Sequence, residues 1–342
     1  MTRTEQEIFH QPQSLRQTYE SICGQAEEIG RWLGSQTVRR WVFTGCGSSY
    51  SLARSAEAAF RLRGAGDVCS VPAGDLLMNF PSYAALLDGA VLVSLSRSGS
   101  TSEAVQAAKL AQAHGASLLS VVARTGSELA GLSGLTLEIP WAFDHSVCQT
   151  QTVANLYLAS LLLCAVATGD DGLCKELGSA VAAQGDFLAR WREPMERLAA
   201  ADWTRVVVLA DGDLCGLAEE GALAFNEICQ VPSNYYHILD VRHGPMVLIG
   251  RRTLVAVAAR AAGPLLDGLL RDLKAKGATV LLACGEPANA PVDVFAPLCG
   301  SSAAPGLPFL ALLQMVSLFR AEQTGVDPDQ PDGLDPWIRL EV

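Results

Sequence analysis

Short runs of apolar residues alternate with stretches of helical period almost from one end of the chain to the other. WVFTG (41–45), AVLVSL (90–95) and SLLSVV (117–122) have the near-continuous apolar character of strands buried on both faces, and the amphipathic stretches Ser49–Arg61 and Thr101–His114 read as the helices that cross between them. A second series follows. RVVVLA (205–210), TLVAVA (253–258) and TVLLAC (279–284) read as strands, with helices near Leu214–Cys229, Leu265–Lys276 and Leu307–Gln323. Alternation of this kind predicts the α/β class, here as two tandem doubly wound parallel sheets.

The two series overlay. VSLSRSGSTSEAVQAAKLAQAHGASLLSVV (93–122) and VAVAARAAGPLLDGLLRDLKAKGATVLLAC (255–284) share a strand, a glycine-bearing loop, a helix and a Gly-Ala-Ser/Thr lead into the next strand, as an internal duplication would leave them. Only the first copy keeps a hydroxyl-rich loop, because Ser96, Ser98 and Ser100 face Ala258, Arg260 and Ala262 in the second. Ser146–Thr168 and Leu173–Ala200 read as helices between the copies, and the boundary is expected near Ala199–Thr204. The plan is an N-terminal helical segment (1–35), a first domain (36–200) and a second domain with a C-terminal tail (201–342).

Length agrees with two domains, since 342 residues is about twice a common domain of roughly 150. Charged residues are 18% of the chain, against about 25% in an average soluble protein, while 49% are hydrophobic. So much apolar material predicts surface hidden between subunits, hence a homodimer or larger. The net charge of −11 argues against nucleic acid as a partner. Ten cysteines lie scattered without a CxxC pair or CxxxH spacing, which predicts reduced thiols, no metal site and a cytoplasmic location. The first thirty residues carry charge throughout, so no secretory signal is expected. Ser146–Gly169 lacks charge over a span that would cross a bilayer, but its Gln149, Thr150, Gln151, Thr152, Asn155 and Ser160 favour a helix buried between layers over a membrane segment.

Chemistry is expected at the strand ends. Ser96-Arg97-Ser98-Gly99-Ser100-Thr101 lies between a predicted strand and a predicted helix, where ligands of open parallel sheets bind and where free N–H groups attract anions. A helix cap needs one hydroxyl residue, and this loop has four. Gly45-Cys46-Gly47-Ser48-Ser49-Tyr50 follows the first strand, but Tyr50 stands where a dinucleotide fingerprint needs its third glycine. Ser48 and Ser49 would instead converge with the Ser96–Thr101 loop on one crevice. Farther on, Glu220 and Glu227 share a helical face with Ala224 between them, and His243 precedes Gly244-Pro245 at a polar break. A carboxylate and an imidazole near a phosphate site suggest proton transfer on a phosphorylated small molecule.

Taken in order, GCGSS, SLSRSGST, EGALAFNE and RHGP within a duplicated α/β unit resemble the tandem sugar-isomerase (SIS) domain proteins. These include the isomerase half of glucosamine-6-phosphate synthase and stand-alone phosphosugar isomerases and deaminases. The opening TEQEIFHQPQSL looks like the start of the tagatose-6-phosphate ketose/aldose isomerase group. The resemblance implies flavodoxin-like SIS domains and no cofactor. It makes Ser96, Ser98 and Thr101 the phosphate-contacting hydroxyls and lines the sugar site with Ser49 and Val147–Thr150, Gln149 among them. It gives Glu227 the proton transfer between C1 and C2, and His243 the opening of the sugar ring from a neighbouring subunit.

Departures from the synthase narrow the reaction. Ala224 replaces a lysine on the Glu-bearing helix, the position of the synthase's imine-forming lysine falls near Pro336, and Lys109, Lys175, Lys274 and Lys276 all lie in predicted surface helices. No imine chemistry is therefore expected, and without an N-terminal cysteine nucleophile or room for a glutaminase domain before the first SIS copy, no glutaminase activity is expected either. Arg97 stands where the family commonly has Gln or Asn, an extra cation for a phosphate or an acidic sugar substituent. The expected activity is aldose–ketose isomerisation of a sugar phosphate, or deamination of an amino-sugar phosphate by the same base. The other reading is a non-catalytic sugar-phosphate sensor. Against it, DNA-binding SIS regulators carry a helical domain before the SIS unit, and here about 35 residues precede the first predicted strand.

Overall fold

Each apolar run becomes a parallel strand in a computed structural model, which describes residues 1–298 and 304–340. The first sheet contains β1 (Arg40–Thr44), β2 (Val68–Ser70), β3 (Ala90–Ser96), β4 (Ser117–Val122) and β5 (Leu135–Glu138), in the order β2-β1-β3-β4-β5. In the second, β6 (Arg205–Ala210), β7 (Ser233–His237), β8 (Thr253–Ala259), β9 (Thr279–Cys284) and β10 (Val294–Pro297) take the order β10-β9-β8-β6-β7. Matching β1 to β6 and β3 to β8 makes the two orders identical, so the duplication seen in 93–122 and 255–284 extends over the whole sheet. All pairings are parallel; β3 and β4, for example, run in register from Val91 with Ser117 to Ser96 with Val122.

Twelve α-helices complete the described chain. They are α1 (Arg3–Gly24), α2 (Ala26–Gly34), α3 (Ser48–Leu62), α4 (Ala73–Met78), α5 (Phe80–Leu87), α6 (Ser102–Ala113), α7 (Glu128–Leu132), α8 (Gln151–Thr168), α9 (Asp171–Ala199), α10 (Cys215–Ile228), α11 (Pro264–Ala275) and α12 (Gly306–Thr324). Side chains alternate across each strand, so a buried sheet supplies two cores. Trp41, Phe43, Val91, Val93 and Leu95 point to the inner side of the first sheet, as Leu254, Ala256 and Ala258 do in the second, and these join one continuous core with α1, α3, α8, α10 and α12. The opposite faces, Val42 and Leu92 in one sheet and Val255 and Val257 in the other, pack on α4 and α6 and on α11 respectively. The central helical layer therefore holds the two sheets together.

Helix α8 is long and apolar enough to cross a membrane, but 83% of it is buried within the protein, against α1, α3, α9 and α12. Its polar members have partners there, with the Thr18 hydroxyl donating to Asn155 Oδ1 at 2.6 Å and the Asn155 amide to Ser14 Oγ at 2.9 Å. The helix starts at Gln151 and not at Ser146, as the sequence pattern had suggested. The buried Asp144 carboxylate accepts the amides of Thr150 (2.8 Å), Gln151 (3.2 Å) and Thr152 (2.9 Å), which fixes the first turn and leaves 145–149 as a loop. The sequence reading also passed over the edge strands β2, β5, β7 and β10, which are short or polar.

Candidate active site

The carboxyl ends of β1 and β3 open into one cleft of about 200 Å³. From β1 the chain turns through Gly45-Cys46-Gly47 into α3. A Cβ at Gly45 would lie 2.7 Å from the Ser49 backbone, and Gly47 has φ +53°, so the turn closes only with glycine at the first position and favours it at the second. This brings Ser48 and Ser49 to the cleft wall. From β3 the chain turns through Ser96–Thr101 into α6, with Gly99 at φ +60° and no room for a Cβ beside Ser127.

The hydroxyl-rich loop is internally ordered. The Gly99 amide donates to Ser96 Oγ at 2.9 Å and the Ser100 amide to Ser98 Oγ at 3.2 Å, while the Ser98 and Thr101 hydroxyls lie 3.5 Å apart. Thr101 occupies the cap position of α6, yet its side chain makes no capping bond. Ser96, Arg97, Ser98 and Thr101 all line the cleft, and the helix that follows presents its positive end there. At the matching place in the second sheet the cavity is lined by Asp211, Ala259, Ala261 and Gly263 and has no hydroxyl loop, and Arg260, the counterpart of Ser98, donates to the fully buried Asp213 after β6.

A second wall comes from the loop before α8, where Val147 and Gln149 line the cleft. Glu7, reaching across from α1, accepts the amides of His145 (2.6 Å) and Ser146 (3.1 Å) and the Ser146 hydroxyl. Burial, with Asp144 nearby, pushes the Glu7 carboxyl up to about 7 despite those donors. Gln149 Oε1 is buried without a protein partner, leaving an acceptor for a ligand hydroxyl.

Glu227 lines the cleft from the last turn of α10. Burial pushes its carboxyl up to about 7, against the opposing influence of the Arg97 guanidinium and a hydrogen bond from the Cys148 thiol. Two turns earlier Glu220 is almost completely buried, Oε2 has no partner, and burial together with Glu227 raises its carboxyl well above the ordinary range. Glu220 does not reach the cleft, and Ala224 between them is buried. Among the described residues, no lysine lines it either.

Of the sequence-derived candidates, Ser48, Ser49, Ser96, Arg97, Ser98, Thr101, Val147, Gln149 and Glu227 converge on this one cleft. His243 does not. It sits exposed after a short 3-10 turn (Asp240–Arg242), outside the cleft of its own chain. Sequence reasoning missed three participants. Glu7 is an ordinary acidic residue of an amphipathic helix by pattern, and Asp144 lies inside an irregular segment. The third is the C-terminal stretch Leu334–Ile338, which forms one side of the cleft; its signals were Trp337 in a polar, proline-bearing tail and the fall of the synthase's lysine position near Pro336.

Comparison with known proteins places this architecture. Residues 36–167 match the SIS domain family. The glutamine–fructose-6-phosphate aminotransferase (isomerizing) of Methanothermobacter thermautotrophicus is 26% identical over 355 residues, a match covering 98% of this chain and 57% of that relative, so the chain spans little more than half of its length. Among solved structures, tagatose-6-phosphate ketose/aldose isomerase from Escherichia coli superposes with a TM-score of 0.86 at 22% identity, covering 100% of this chain and 96% of that one. Glucosamine-6-phosphate deaminase from Thermotoga maritima gives 0.82 at 24%, covering 99% and 100%. At these identities the structural likeness establishes the fold.

Proposed function

Since residues 36–167 match the SIS domain family, we propose that this chain is an enzyme acting on a sugar phosphate, interconverting its aldose and ketose forms with Glu227 as the base. The observation that carries this reading is the presence of a carboxyl with a pKa of about 7 in the same cleft as the Ser96–Thr101 loop. The phosphate rests on that loop, where Ser98 and Thr101 donate their hydroxyls beside the start of α6. The open-chain sugar then extends towards Gln149 and Glu227. Glu227 takes the proton from C2 of the aldose to give an enediolate, the O2 proton passes to O1, and Glu227 returns its proton to C1 to give the ketose, one carboxylate serving both carbons. The same proton transfer from C2 to C1 of a 2-amino sugar phosphate passes through an enolamine to a 2-ketimine, whose hydrolysis by water gives the ketose and ammonia.

Ring opening falls to His243 of a second copy, because in its own chain this residue is exposed outside the cleft. The exposed apolar side chains Val247 (83%) and Leu248 (39%) beside it suit a subunit contact. A sensor of the same ligand would use the phosphate loop but has no need of a near-neutral carboxyl facing the sugar. The test is proton exchange in D2O with fructose 6-phosphate, tagatose 6-phosphate and glucosamine 6-phosphate, read at C1 and C2 by NMR. Deuterium entering one of them supports the enzyme. Binding of all that engage without any exchange makes the protein a sensor.

A further inference from the structure

Arg97 lines the cleft, yet it is only 4% exposed and its guanidinium is already engaged. Nη1 donates to the carbonyls of Ser146 (2.9 Å) and Val147 (3.0 Å), and Nη2 to the carbonyl of Pro336. Residues 334–338 form the side of the cleft that this last bond holds. The same stretch is tied to the start of α6, where the Ser102 amide donates to the Ile338 carbonyl at 3.4 Å and the Leu340 amide to Ser102 Oγ at 2.9 Å. Upstream, the Asp329 carboxylate accepts the amides of Arg3 and Thr4, both at 2.8 Å, and its carbonyl accepts the Val147 amide at 2.9 Å. The tail is therefore a strap anchored at two places, with Arg97 the charged group at the end nearest the phosphate loop.

We propose that Arg97 is a positioning residue, which fastens the C-terminal strap and the 146–147 loop into one wall of the cleft and does not bind the substrate's phosphate. A planar guanidinium can serve three carbonyls on two segments at once, which an ammonium on a flexible stem does poorly. The proposal rests on the reading of this cleft as the sugar-phosphate site. It also assigns Arg97 an electrical role there. The groups around Glu227 are the Cys148 thiol, Glu220 on the same helix, and Glu103 and Asp335 on the cleft wall, all neutral or acidic. Arg97 is the cation among them, and it favours the ionised base.

The experiment compares Arg97→Gln and Arg97→Lys with the wild type in the full-length protein. Hydrogen exchange of backbone amides in 334–340 reads the strap directly, whatever the activity. Both variants are expected to exchange at least tenfold faster there, with little change in the central strands. Affinity for inorganic phosphate is expected to fall by less than threefold in Arg97→Gln. In the proton-exchange assay, the acidic limb of the rate profile should move to higher pH in Arg97→Gln, where the charge is lost, and stay in place in Arg97→Lys. Unchanged strap exchange in both variants overturns the fastening role. A tenfold or greater loss of phosphate affinity with the strap intact makes Arg97 a phosphate ligand instead. If the wild type neither binds phosphate nor exchanges protons, while the strap loosens as expected, the fastening stands and the reading of the cleft falls.

Discussion

Replacing Glu227 by Gln should lower turnover by about 10²-fold or more and stabilise the fold, and both effects follow from one ionisable group. The carboxyl stands at about 7 instead of 4.5, chiefly because it is buried. A folded pKa above the unfolded one means that the native state holds its proton more tightly. Stability is then fully present below pH 4.5 and lost as pH rises through 7, because above that the native protein must carry a desolvated charge. At about 1.4 kcal/mol for each tenfold in acidity, the penalty reaches about 3 kcal/mol at pH 8 and only about 1 kcal/mol at pH 5. Gln keeps the shape without the charge, so urea unfolding should show Glu227→Gln more stable by up to about 3 kcal/mol at pH 8, with the difference shrinking towards pH 5. In proton exchange, wild-type turnover should rise about tenfold between pH 6 and pH 8 as the base ionises, while the variant falls by about 10²-fold or more and loses that limb. Equal stability at pH 8, or a wild-type rate that is flat across this range, would refute the argument. Near-normal turnover in the variant would shift the test to Glu220.

Three further outcomes are expected. Ser98→Ala with Thr101→Ala should weaken sugar-phosphate binding by about 2 kcal/mol or more, measured by calorimetry, since each bond to a charged phosphate is worth roughly 1.5–3 kcal/mol; unchanged affinity would move the phosphate elsewhere. Gly99→Ala sets a Cβ against Ser127 at φ +60° and should lower both the denaturation midpoint and phosphate affinity, whereas a variant like the wild type would mean that the loop can re-form around a side chain. If His243 acts across a subunit contact, mixing Glu227→Gln and His243→Ala chains should return activity through the site that receives both intact residues. No recovery in a verified mixed oligomer would place both groups in one chain or remove His243 from the reaction.

Much of the fold was legible because the central strands are buried on both faces. Continuous apolar runs such as AVLVSL and RVVVLA can hardly be anything else, and the overlay of 93–122 on 255–284 showed that there were two sheets. The edge strands escaped because an edge has one neighbour and tolerates polar residues: SNYYH of β7 carries no apolar run, and β2 is three residues long. The hydroxyl loop and Glu227 could be named from residue type and family likeness, since a phosphate loop is local in sequence. Tertiary structure alone decided the acidity of Glu227, which depends on burial and on Arg97 and Cys148 from other elements. It likewise decided that Arg97 faces carbonyls of Ser146, Val147 and Pro336, that Glu7 of the first helix holds the loop before α8, and that the tail closes one side of the cleft. Those contacts join residues from about 50 to 239 positions apart, and no local pattern encodes which buried charge will meet which backbone group.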